Sequence, residues 1–149
     1  MSIIVTDSGF ADDVWADGFA PLDTANSDGQ ALDIPSDYDP RLATEIVLTA
    51  PMLRIDFPSF ADGRGFTIAA HLRRLGFTGA LRARGHVIAD QYAMARRSGF
   101  DEVEISDDLA KRQPAEQWMR RADWKAHSYQ NRVSQTGHPL PTVANSLID

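Results

Sequence analysis

Met52-Leu53-Arg54-Ile55-Asp56-Phe57-Pro58-Ser59-Phe60-Ala61-Asp62-Gly63-Arg64-Gly65-Phe66 is the stretch whose reading decides the fold. Met52 to Phe57 is a mainly apolar run that suits a strand. Phe66, Ile68, Ala69, Leu72 and Leu75 recur at helical spacing, and Gly76 closes that helix. Pro58, Asp62, Gly63 and Gly65 lie between them and mark a loop shaped by its glycines. The order is strand, turn, helix start. In α/β folds such a turn often carries a site, because helix N-terminal N–H groups point outward there.

The same order repeats downstream. Ala80 to Arg84 reads as a second strand. Gly85 opens a second helix, with Val87, Ile88, Gln91, Tyr92 and Ala95 near one stripe and Ser98-Gly99 as its stop. Phe100, Val103 and Ile105 alternate as a third strand. Ser106, with Asp107 and Asp108, caps a short helix at Leu109. Pro114 starts another, running to about Ala122. Residues 52–122 therefore alternate strand and helix three times, which implies right-handed crossovers and a parallel sheet. The expected fold class is α/β, a small parallel sheet of βαβαβα units, either half-barrel-like or a short three-layer arrangement. Parallel sheets are normally covered on both faces. Three strands must then recruit the N-terminal segment, the C-terminal aromatic segment or another subunit.

Upstream, Ile3-Ile4-Val5, the turn Asp7-Ser8-Gly9, and Val14-Trp15 with Phe19 suggest a small N-terminal hairpin. Residues 20–40 are rich in Asp, Asn, Ser, Gly and Pro and read as a linker, with Ala31-Leu32-Asp33-Ile34 as one short strand candidate. Asp39-Pro40 suits an N-cap and first-turn proline for a short helix ending before Pro51. The expected organisation is an acidic hairpin and linker over 1–40, an α/β domain over 41–130, and an extended or disordered tail over 131–149.

Charge divides the chain in the same way. Residues 1–40 hold nine Asp and no Lys, Arg or Glu, whereas residues 54–99 hold eight Arg against three Asp. Thirteen of the 15 basic residues are Arg, the side chain best suited to bidentate oxyanion contacts. The middle of the chain thus leans toward anion recognition, although the net charge is −6. There is no cysteine, which removes disulfides, thiolate nucleophiles and cysteine-ligated metals. The histidines His71, His86, His127 and His138 show no metal spacing. No Walker loop, dinucleotide fingerprint or nucleophile elbow is present, and Gly63-Arg64-Gly65 alone is weak evidence for a nucleotide. Arginine pairs at helix ends, with a pI near 5.1, argue against nucleic acid. Residues 1–20 lack a basic start and contain four Asp, and no apolar run approaches the ~20 residues of a membrane span. The expectation is a cytoplasmic protein.

Ligands of parallel sheets collect outside the carboxyl ends of the strands. Asp62, Gly63, Arg64 and Gly65 follow the first strand; Arg82, Arg84, Gly85 and His86 end the second. If those strands are neighbours, the arginines and helix N-termini form a small-oxyanion site for sulfate, sulfite, phosphate or a carboxylate. The bland alternative is an Asp62–Arg64 loop salt bridge, with Arg82 and Arg84 on one face as surface residues. Asp90 and Gln91 support the site from the second helix, Asp90 by stabilising the helix start.

Phe57-Pro58-x-Phe60-x-Asp62-Gly63-Arg64-Gly65-Phe66, then Leu81-Arg82-Ala83-x-Gly85, Asp90-Gln91 and Gly99-Phe100, resembles the bacterial family known as domain of unknown function 934. The likeness covers roughly residues 50–106. It implies a place beside assimilatory sulfite reductase, since members are typically encoded there and labelled as oxidoreductases of sulfite reduction. Two positions depart from the pattern: Ser98 stands where a cysteine is frequent, and Arg84 where a small or apolar residue is usual. What the resemblance implies is an accessory protein of sulfite reduction that binds a small oxyanion or the sulfite reductase itself. One alternative is a small oxidoreductase, with Asp62 or Asp90 as acid/base and Arg64 as anion clamp. It would need a bound cofactor, whose identity is unknown. The other is an interaction module anchored by Trp15, Phe19, Trp118 and Trp124, or a homo-oligomer built on them.

Overall fold

The computed structural model describes residues 2–15, 17–24 and 29–125. One seven-stranded sheet runs through them in the order β2-β1-β7-β6-β5-β4-β3. The strands are β1 (Ser2–Thr6), β2 (Gly9–Asp12), β3 (Ala20–Pro21), β4 (Leu32–Ile34), β5 (Met52–Phe57), β6 (Ala80–Gly85) and β7 (Glu102–Ser106). From β3 to β7 each strand pairs in parallel with the next in sequence. The hairpin β1–β2 adds to β7 in antiparallel fashion. The sheet thus recruits the N-terminal segment, and the hairpin and the 32–34 strand belong to the same sheet as the βα units.

The helices are α1 (Glu45–Leu48), α2 (Arg64–Arg74), α3 (Tyr92–Ser98), α4 (Asp107–Arg112) and α5 (Ala115–Met119). Strands added in sequence order place every connecting helix on one face, as in a barrel wall. The core shows this. Leu53, Ile55, Phe57, Leu81, Ala83, Val103 and Ile105 alternate onto one face and meet Phe66, Ile68, Leu72, Tyr92, Ala95, Leu109 and Trp118 of the helices. The half-barrel-like form is the one adopted; a three-layer form would carry helices on both faces.

Local chemistry sets the helix ends. Gly76 and Gly99 both take left-handed φ, and Phe77 and Phe100 donate back to Leu72 and Ala95, which closes α2 and α3. Ser106 Oγ accepts from Leu109 N and caps α4. Asp39 accepts from Arg41 N, but the proline-led turn it caps is a short 3-10 turn over Pro40–Leu42. Two boundaries differ from the sequence expectation. Gly85 is the last residue of β6, not the start of a helix; a 3-10 turn over Ala89–Gln91 precedes α3. The last helix stops at Met119, and turns over 120–123 follow it before helix resumes at Trp124. The 131–149 tail lies outside the described residues.

Asp7, in the β1–β2 turn, ties the hairpin to the helices. It accepts from Tyr92 Oη at 2.5 Å, and from Arg96 and Trp124 Nε1. Trp118 packs edge-on to Tyr92 beneath.

Candidate functional site

The face away from the helices is charged. Alternation places Asp33, Arg54, Arg82 and Glu102 side by side across β4 to β7. Two residues further along, Asp56, Arg84 and Glu104 form a second row. In the first row two arginines are cross-strand neighbours, which is repulsive unless an anion lies between them. Glu104 supplies it: its Oε1 accepts from Arg54 at 3.1 Å and from Arg82 at 2.9 Å. Asp33 takes the outer edge of Arg54 in a two-bond fork at 2.6 and 2.9 Å. Glu102 takes Arg82 at 2.6 Å.

Asp13 and Phe19, from the chain between β2 and β3, lie over this face. Asp13 accepts from both Arg82 terminal nitrogens, at 3.1 and 3.2 Å. The Phe19 ring lies 3.9 Å from the Arg54 guanidinium carbon and 5.5 Å from that of Arg82. Arg82 ends 3% exposed and Glu104 5% exposed. Burial alone would favour neutral Arg82, but Asp13, Glu102 and Glu104 more than offset this and hold its pKa above the ordinary value. Burial likewise pushes the Asp13 carboxyl up, and the Arg82 hydrogen bonds outweigh it, so Asp13 titrates below its usual range.

Arg84 behaves differently. Its side chain is 50% exposed, and its Nε lies 3.6 Å from Glu104 Oε2. It lines an open cavity of about 590 Å³ with Asp56, Asp33, Arg54 and Asp23, walled by Pro21, Leu22 and Pro35. The cavity volume falls in the ordinary range for small-molecule sites.

The residues named from sequence fall in two places. Arg82 belongs to the charged face. Asp62, Gly63, Arg64, Gly65, Gly85, His86, Asp90 and Gln91 lie at the rim where strands pass into helices, and the structure does not bring Arg64 and Arg82 onto common partners. Arg64 grips Asp62 at 2.7 Å, and its backbone N–H donates to Asp62 Oδ1. The helix N-terminus therefore already has its own carboxylate. Hydrogen bonds from Arg64 hold Asp62 at about 2, too low for a general base near neutral pH. The rim glycines make room for Phe57. A Cβ on Gly65 would stand 2.4 Å from the Phe57 ring; on Gly85, at φ +114°, it would stand 2.7 Å from the Phe57 carbonyl oxygen. That carbonyl accepts from His86 N at 2.9 Å, and Phe60 packs edge-on against the His86 ring. Gln91 bridges Ile88 N and Phe60 O, while exposed Asp90 pairs with Arg121.

Asp33, Arg54, Asp56, Glu102, Glu104 and Asp13 were not singled out as site residues by sequence reasoning, and Phe19 only as a partner anchor. A signal was present: β5, β6 and β7 each carry two charges two residues apart, as Arg54/Asp56, Arg82/Arg84 and Glu102/Glu104. Of the aromatic anchors, Trp118 is fully buried in the core, Phe19 covers the arginines, and Trp15 donates its Nε1 to Gly18 O. Among the described residues no group of three His, Cys, Asp or Glu side chains is placed to hold a metal. No helix there is long and apolar enough to cross a membrane.

A family model described as "Bacterial protein of unknown function (DUF934)" matches residues 31–140. The chain belongs to this family. The DUF934 match spans both charged rows, from Asp33 to Glu104, and begins after Asp13 and Phe19. No curated protein and no solved structure matches the chain.

Proposed function

We propose that this DUF934 protein is an accessory binding protein that holds a small oxyanion in the cavity on the helix-free face. One observation carries the reading: Arg84 lines the cavity half exposed, with only a 3.6 Å approach to Glu104, while Arg54 and Arg82 are saturated by carboxylates. A guanidinium left with spare donors at a cavity wall is suited to an oxyanion. Sulfite and sulfate are the species that the family resemblance favours. Binding suits this face better than catalysis, because Asp33, Glu102 and Glu104 are already committed to arginines.

Calorimetry with sulfite, sulfate and phosphate tests it. Arg84→Gln weakens whichever anion binds, whereas Arg64→Ala leaves binding unchanged, because Arg64 is already neutralised by Asp62. Absence of heat with all three anions would remove the reading. Loss of binding in Arg64→Ala alone would move the site to the rim.

A further inference from the structure

The second charged row contains an unmade ion pair. Asp56 and Arg84 are register partners on adjacent parallel strands, so their Cα atoms lie about 5 Å apart. Opposite charges so placed ordinarily meet across the strands. Here Arg84 leans toward Glu104 on its other side, and Asp56 has no side-chain partner among the described residues. Both nevertheless line the same cavity. Its other strand-borne charges are closed off, since Asp33 and Arg54 bind each other through two hydrogen bonds.

Besides Asp23 of the 3-10 turn over Leu22–Thr24, the cavity therefore offers one available cation, Arg84, and one strand-borne anion, Asp56, a few ångströms apart, beside an apolar wall of Pro21 and Leu22. A simple oxyanion would gain Arg84 but face the Asp56 carboxylate. A simple ammonium would meet the reverse. A molecule carrying both groups satisfies both. Resting on the oxyanion reading and naming what bears the anion, we propose that the cavity binds a small zwitterion of the amino-acid type. Its acid group contacts Arg84, its ammonium contacts Asp56, and its short aliphatic part lies on Pro21 and Leu22.

β-Alanine and propionate differ by the ammonium group alone, so calorimetry on the full chain with these two and with sulfate isolates the role of Asp56. The expected result is β-alanine binding about ten-fold more tightly than propionate, the equivalent of one modest charged contact. Asp56→Asn should abolish that gain and at the same time tighten sulfate, because a repelling carboxylate is gone. These opposite changes cannot come from misfolding. If β-alanine binds no better than propionate, or Asp56→Asn weakens all three alike, the zwitterion proposal is overturned while the oxyanion reading stands. If none of the three binds, both are overturned.

Discussion

Leu53 and Arg54 are neighbours in β5, yet they live under opposite rules. Leu53 is sealed under helices, where any apolar side chain of the right volume would serve. Arg54 faces Asp33, Glu104 and Phe19, and each partner is required by the others. The apolar face tolerates approximate chemistry because dispersion and the hydrophobic effect are non-directional. The charged face does not, because a buried charge that loses its partner keeps its full desolvation cost. One set of strands thus presents a forgiving side and a demanding side.

The comparison breaks most visibly at Arg82. Arg82→Ala leaves Glu104 buried with one of its three arginines gone and takes the shared cation from Asp13 and Glu102, and unfolding in urea should show a loss of about 3–5 kcal/mol. That equals or exceeds the ~2–5 kcal/mol expected for Leu53→Ala on the other face. Replacing the pair together, Arg82→Met with Glu104→Leu, should recover part of the loss, since Glu104 is no longer buried without its partner while Asp13 and Glu102 still lose theirs. A double variant as unstable as the single one would show that the pair does more than satisfy itself.

Gly65→Ala probes the forgiving side at its tightest contact. The new methyl would overlap the Phe57 ring, itself packed on Phe66 at 5.0 Å and Phe100 at 5.8 Å. A denaturant midpoint lowered by about 1–3 kcal/mol is expected. Smaller again is Phe19→Leu, which keeps apolar cover but removes the ring face from two guanidiniums; about 0.5–1 kcal/mol should be lost.

Acid sharpens the contrast without a change in volume. Asp13 titrates below the ordinary 3.8 in the folded chain. Its contribution is present above that value and fades as pH falls through the lower folded value. Urea midpoints measured between about pH 2 and 6 should therefore decline less steeply in Asp13→Asn than in wild type. Equal slopes would mean that Asp13 is no better stabilised folded than unfolded.

Much of the apolar side was legible. Alternation in Met52–Phe57 and helical spacing from Phe66 to Leu72 name the strand, the helix and the residues between them. The rim was legible as a turn, but not as packing: nothing local says that Gly65 and Gly85 both yield to Phe57, because those contacts join separate elements. Asp13, Trp15 and Phe19 were visible as an acidic, aromatic stretch, and the placement of Asp13 and Phe19 over the arginines was not. Arg82 was singled out for anion binding, and the structure supplies its anions from Asp13, Glu102 and Glu104.

The sequence by itself determined the order of strands and helices from Met52 onward and which side chains share a face there, because periods of 2.0 and 3.6 residues are local properties of the backbone. Only the tertiary structure decided which charges meet. Cross-strand register joins residues such as Arg54 and Glu104, fifty positions apart, and a shift of one residue would send every arginine to the opposite face. Register therefore closed Arg54 and Arg82 into a stabilising network and left Arg84 and Asp56 turned toward the cavity.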